Sequence, residues 1–189
     1  VSSSCFAQHT IRHDDFGRID TINLPALELA DNGLRIRVFL PNGYDPKSDI
    51  GYPVLYLNDG QHAEAVALQA TLDDLIDRGE IRPLIAVAID MPKDRMGAYG
   101  FSNRAAQRSL IAPLRAGEIG THAHAYSEWV AKQLIPAIDA KYRTRARADA
   151  RTVLGWSLGA ANALNLGWQY PEVFGSVGAV VPSNAMVLK

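Results

Sequence analysis

Short apolar runs alternate with segments of helical period along most of the chain. Residues 19–24 and 34–40 read as strands. In Leu34-Arg35-Ile36-Arg37-Val38-Phe39-Leu40 apolar and basic positions alternate, the period-two pattern of a half-exposed antiparallel strand. Residues 53–57 and 84–89 are continuously apolar and β-prone, as strands buried on both faces are. Between them, residues 63–79 carry Val66, Leu68, Leu72, Leu75 and Ile76 at helical spacing, with Gly79 as a stop. A second helix is predicted over 122–142, where Tyr126, Val130, Leu134, Ile138 and Tyr142 recur every fourth residue beside Trp129. Pro136 inside it predicts a kink. A third buried strand at 151–156 runs into Ser157, a helix follows over 158–169, and a last strand over 176–181. Residues 41–46 form a Pro/Asn/Gly loop, and 91–120 a long Gly-, Arg- and Ser-rich connection of the kind that is either functional or structured in its own right. Strands alternating with helices predict an α/β domain over 19–189: a mostly parallel sheet with helices on both faces.

Composition narrows the function classes. Of 189 residues 48% are hydrophobic and the net charge is −1, which excludes a disordered chain. The balance of 19 basic and 20 acidic residues argues against electrostatic binding to nucleic acid or anionic lipid. No apolar run reaches the 18 or so residues of a membrane span. A single cysteine, Cys5, excludes an intramolecular disulfide and a cysteine-based zinc cluster. Residues 1–18 read as a leader, and two readings of its small, polar start stay open: the tail of a secretory signal, which would place the protein outside the cytoplasm, or a structureless segment.

The chemistry concentrates at Gly155-Trp156-Ser157-Leu158-Gly159, a Gly-x-Ser-x-Gly pattern between a buried strand and a helix. A serine on so tight a strand-to-helix turn occupies a strained backbone conformation, and the flanking glycines remove side chains that would clash there. Its hydroxyl then projects at the end of the sheet, where it can act as a nucleophile. An acyl-transfer serine needs two oxyanion donors. One is the N–H of the following residue, Leu158, and the other comes from the loop after a neighbouring strand. Asn58-Asp59-Gly60-Gln61-His62 follows the first buried strand, and the Gln61 N–H is the candidate. His62 at the rim is a candidate substrate contact, as is Trp156; Trp156 and Trp168 also suit core or cleft packing. Arg95, Tyr99, Arg104 and Arg108 in the long connection read as solvated loop residues before ligands of an anionic or aromatic acyl group. His122-Ala123-His124 reads as a helix start rather than a metal site, since i and i+2 diverge on a helix.

With these motifs in place, residues 54–61 and 154–159, supported by 134–144 and 170–175, resemble the esterase branch of the α/β-hydrolase superfamily: S-formylglutathione hydrolase (esterase D), the enterochelin and feruloyl esterases, and the mycolyltransferases. The resemblance covers about residues 34–183. It implies an α/β-hydrolase sheet, Ser157 as nucleophile, oxyanion donors at Leu158 and Gln61, no metal or organic cofactor, and a small-molecule ester as substrate.

One departure follows. This fold supplies its triad in the order serine, acid, histidine, yet His9, His13, His62, His122 and His124 all precede Ser157, and Glu172 is the only acid after it. The family's acid and histidine are therefore expected on strands beyond Lys189, the sequence being roughly 60–90 residues short of a domain of about 250. These 189 residues alone are expected to lack triad-level turnover and to expose a sheet edge at Val177, Val180 and Val181, and so to aggregate, self-associate along that edge or be only marginally stable. The alternatives are a non-catalytic binding protein on the same fold and an acyltransferase of the same family.

Overall fold

The computed structural model describes residues 10–13, 18–26, 28–114 and 117–181. In chain order the strands and helices are β1 (Thr10–His13), β2 (Arg18–Ala26), β3 (Ala30–Leu40), β4 (Val54–Leu57), α1 (Leu68–Asp77), β5 (Ile85–Ile89), α2 (Arg95–Ala98), β6 (Phe101–Asn103), β7 (Arg108–Leu110), β8 (Ala112–Leu114), β9 (Gly117–Ile119), α3 (Ala123–Trp129), α4 (Ile135–Lys141), β10 (Arg151–Trp156), α5 (Leu158–Gln169) and β11 (Ser176–Val180). The main sheet has the order β1-β2-β3-β5-β4-β10-β11. Its centre and far edge, β5-β4-β10-β11, run parallel, and β1-β2-β3 join as an antiparallel arm against β5. Apart from Thr10–His13, which pairs with β2, and Arg18, the leader read at 1–18 lies outside the described residues, Cys5 included.

Period two along each strand sorts side chains into two cores. Ile36, Val38, Val54, Tyr56, Val87 and Val153 point to one face, where Tyr126, Leu134, Ile138, Ala163 and Leu166 of α3–α5 cover them. Phe39, Leu57, Ala86 and Ala88 point to the other, against Leu68 and Leu72 of α1. Helices therefore lie on both faces of the sheet. Among the described residues no helix is long and apolar enough to cross a membrane.

Several expectations shift or sharpen. The helix read over 63–79 begins only at Leu68, because Ala67 takes a left-handed conformation (φ 49°, ψ 43°); the chain first makes a 3₁₀ turn at Gly60–His62. Val66, counted on the apolar face of that helix, is exposed. The proline in the long helix is accommodated by a π turn over Val130–Leu134, immediately before α4, where Pro136 sits in the first turn and needs no N–H partner. The 91–120 connection folds as α2 and two small hairpins, β6–β7 and β8–β9. Arg37, read as part of a solvent-facing alternation, is 8% exposed.

Helix α5 offers a test of this layering. Leu166 is fully buried against the sheet, whereas Leu164 on the opposite side of α5 is exposed. Leu166→Ala is expected to lower stability by about 2–5 kcal/mol and Leu164→Ala by about 0.5 kcal/mol or less, measured by urea unfolding of both variants.

Candidate active site

Ser157 lies between the last residue of β10 and the first of α5, with φ 54° and ψ −126°. For a residue with a side chain this is a strained region, at a cost of about 1–3 kcal/mol. The turn demands both flanking glycines. A Cβ on Gly155 would sit 2.1 Å from the Gly159 carbonyl oxygen, and one on Gly159 would sit 2.7 Å from Asp59 Oδ2. The Ser157 N–H donates to the Val180 carbonyl of β11 (3.0 Å), the side chain is exposed, and no described group hydrogen-bonds its hydroxyl. Leu158 opens α5, so its N–H has no intrahelical acceptor.

The second turn leaves the neighbouring strand. β4 and β10 are parallel, with Leu57 opposite Leu154, and the Asn58 N–H continues the ladder to the Leu154 carbonyl (2.9 Å). The Asn58–His62 turn therefore emerges beside the Ser157 turn, at the carboxyl ends of the strands, where open α/β sheets bind ligands. Gly60 lies flat on β5: a Cβ there would be 2.6 Å from the Ala88 carbonyl carbon. The Gln61 N–H, like that of Leu158, donates to no backbone carbonyl among the described residues. The Gln61 side chain faces away from this role, its Oε1 accepting from the Met91 N–H (3.0 Å). His62 is exposed and stacks on Trp156 with ring centroids 6.2 Å apart and planes inclined by 22°. Trp156 is half-buried against the α1 side of the sheet. Ser157, Leu158, Gln61, His62 and Trp156 are thus carried by two turns on adjacent strands.

What ties those turns together was not legible in the motif. Asn58, fully buried, donates from Nδ2 to the Gly159 carbonyl (3.0 Å) and to Asn162 Oδ1 (3.1 Å), while its Oδ1 accepts from the Tyr126 hydroxyl (3.2 Å). Asp59, also fully buried and left-handed at φ 57°, accepts a bidentate pair from Arg95 (2.7 and 2.9 Å), and its N–H donates to the Tyr99 hydroxyl (3.0 Å). Hydrogen bonding to Asp59 holds the Arg95 guanidinium above its usual pKa, against the opposing effect of burial. Burial, reinforced by the Asp59 charge, pushes the Tyr99 hydroxyl up, and burial likewise raises Tyr126, so both phenols stay protonated. An Asn-Asp pair closing an apolar strand was the available signal for this network; nothing in the sequence marked Arg95 as its counter-ion.

Other sequence candidates lie elsewhere. Arg95 and Tyr99, read as solvated loop residues, are built into the support just described. Arg104 packs over the Tyr170 ring and pairs with Glu172 (2.5 Å), and Arg108 is exposed. Trp168, expected in the core or cleft, is 83% exposed on α5. His122 precedes α3, and the nearest charged partner of His124 is Glu128 at 3.9 Å; no group of three metal-ligating side chains occurs among the described residues. A cavity of about 420 Å³ between Arg18, Asp20, Tyr44 and Tyr142 opens at the other end of the sheet, where the buried Asp20 carboxylate is already taken by Arg18 and the Tyr142 hydroxyl.

Residues 29–188 match the family model described as "Putative esterase". The chain belongs to this esterase family. The fold agrees: a ferulic acid esterase from Anaeromyces mucronatus superposes with a TM-score of 0.60 at 18% identity, over 95% of this chain and 61% of that one. The enterochelin esterase of Shigella flexneri superposes with a TM-score of 0.55 at 23% identity, over 94% of this chain and 36% of that one. In sequence, the endo-1,4-beta-xylanase/feruloyl esterase of Xylanibacter ruminicola is 30% identical over 151 residues, covering 75% of this chain and 18% of that protein. The chain spans about half the length of the first Bacillus subtilis relative it matches, 55%.

The support network carries its own test. Asp59→Ala would leave the part-buried Arg95 guanidinium without its counter-ion and empty the space beneath Gly159. The expected loss is on the order of 2–4 kcal/mol, read as a lowered urea midpoint, and Arg95→Met should recover part of it in the double variant.

Proposed function

We propose that this protein is a carboxylic ester or thioester hydrolase that works through an acyl-enzyme on Ser157. The observation that carries the reading is the backbone of Ser157, held at φ 54° between a buried parallel strand and a helix by glycines that nothing larger could replace. Membership of the esterase family supports the reaction class.

In the mechanism Ser157 Oγ attacks the ester carbonyl and the substrate oxygen becomes an oxyanion. Free N–H groups at Leu158 and Gln61 then hold that oxygen, a role that needs donors fixed in advance where charge develops. Leu158 adds the positive end of the α5 dipole. A serine hydroxyl also needs a positioned histidine to take its proton and a carboxylate to orient that histidine. His62 does not suit this part: it belongs to the oxyanion turn and is engaged in a stack with Trp156. The base and acid are assigned to the part of the protein beyond the residues described. His62 and Trp156 together give the acyl or alcohol group a flat aromatic wall beside Ser157. The exposed Val177 and Val180 of β11, with Val181 just beyond it, support self-association of the 189-residue chain along that edge.

In the full-length protein, Ser157→Ala is expected to lower turnover of an activated aryl ester by several orders of magnitude, since it removes the covalent route. His62→Ala is expected to raise KM with kcat little changed. Steady-state kinetics on both variants decide the assignment: wild-type turnover in Ser157→Ala ends the serine reading, and equal losses of kcat in the two variants would make His62 part of the chemistry.

A further inference from the structure

We propose that Arg37 is a positioning residue that aims the Gln61 amide into the oxyanion hole. The inference rests on the reading of Gln61 as an oxyanion donor and extends it to a residue on a strand that otherwise takes no part in the site. Arg37 lies in the middle of β3, on the α1 side of the sheet, and is 8% exposed. Its Nη2 donates to the carbonyl oxygen of Gly60, which also accepts the Ala63 N–H at 2.9 Å. The guanidinium is itself held in place. Nη1 reaches Glu64 Oε1 at 3.2 Å and Nη2 reaches Asp90 Oδ1 at 3.4 Å, while Arg35 Nε takes the other Asp90 oxygen at 2.5 Å.

The Gly60 carbonyl and the Gln61 N–H belong to one peptide unit, which is trans. In a trans peptide the two groups point in opposite directions from one rigid plane. Fixing the carbonyl toward β3 therefore fixes the N–H away from it. The 3₁₀ turn alone would leave this plane held by a single bond, from Ala63. The second donor restricts its rotation, and hydrogen bonding at the carbonyl also polarises the peptide and strengthens its N–H as a donor. Gly60 is required for the same contact, because its α-carbon lies against the Ala88–Ile89 backbone and leaves no room for a side chain. Burying an arginine in mid-sheet is costly unless it is paired. Here Glu64 and Asp90 pair the guanidinium, and its Nη2 reaches the one peptide on whose orientation the proposed hole depends.

The test compares Arg37→Met, Arg37→Lys and Ser157→Ala in the full-length protein. It reads kcat and KM on an aryl acetate, affinity for an aryl trifluoromethyl ketone, whose hemiketal oxygen occupies the oxyanion position, and affinity for the phenol product, which does not enter that position. For Arg37→Met the expected result is a fall in kcat of about 10- to 100-fold, less than or comparable to the loss of a whole oxyanion donor. Ketone affinity should fall in parallel, while KM and product affinity stay within about threefold, because only the charge-developing state uses the amide. Arg37→Lys, a point donor that cannot span Gly60 and both carboxylates, should show a smaller parallel loss of about 3- to 10-fold, and it carries the test if Arg37→Met does not fold. Wild-type kcat and ketone affinity in a folded Arg37 variant, with Ser157→Ala inactive, would overturn the proposal and leave the serine reading intact. Product affinity and KM worsening as much as ketone affinity would also overturn it, by making Arg37 a purely structural residue. Activity surviving in Ser157→Ala would remove the serine reading and this proposal together.

Discussion

The parallel pairing of β4 with β10 is the constraint on which the site depends. Leu57 lies opposite Leu154, and the ladder continues one step further through the Asn58 N–H to the Leu154 carbonyl. That register brings two turns, separated by about a hundred residues of chain, out of the sheet side by side. A shift of one residue would turn Val54 and Tyr56 from the α3–α5 core toward α1, so the hydrophobic effect that stabilises both cores also fixes the position of the turns. Tyr56, Val153 and Val87 are fully buried in one core, Leu57, Ala86 and Ala88 in the other.

The two turns are strained and polar, and the surrounding structure compensates. Asp59 and Ser157 both sit at positive φ, and a buried carboxylate is destabilising unless it is paired. Arg95 supplies the pair, and the Tyr99 hydroxyl accepts the Asp59 N–H. Asn58 links the first turn to the Gly159 carbonyl of the second, tying the two turns to each other. Arg37 does the corresponding work from the far side, through the Gly60 carbonyl. The Asn58–His62 turn is thus held by α2, β3, α3 and α5 together, and the 91–120 connection, whose Arg95 and Tyr99 read as solvated loop residues, is a structural support that delivers both to Asp59.

Much of the architecture was readable because it rests on local periodicity. The continuous apolar run of β4, the buried strand of β10, the four-residue recurrence of Tyr126, Val130, Leu134, Ile138 and Tyr142, and Gly-x-Ser-x-Gly between strand and helix all depend on neighbours in sequence. Where local rules competed, the reading slipped. The apolar spacing of Val66 to Ile76 suggested a helix from 63, but the chain must first turn tightly at Gly60 to stay on β5, and the helix waits until Leu68.

By itself the sequence determined the α/β alternation, the buried strands, and the serine on its glycine-flanked turn, because side-chain period and steric demand are local. The tertiary structure decided which charges go inside. Arg37 looked like the polar half of a half-exposed strand, and only the packing of the Gly60 turn onto β5 buries it beneath a carbonyl. Arg95 carries no local signal at all, since its partner Asp59 is 36 residues away and meets it only through the folded sheet. Trp168 went the other way, toward solvent, because its place on α5 points away from both cores. Burial of a polar group is a property of what covers it, and the covering elements come from distant parts of the chain.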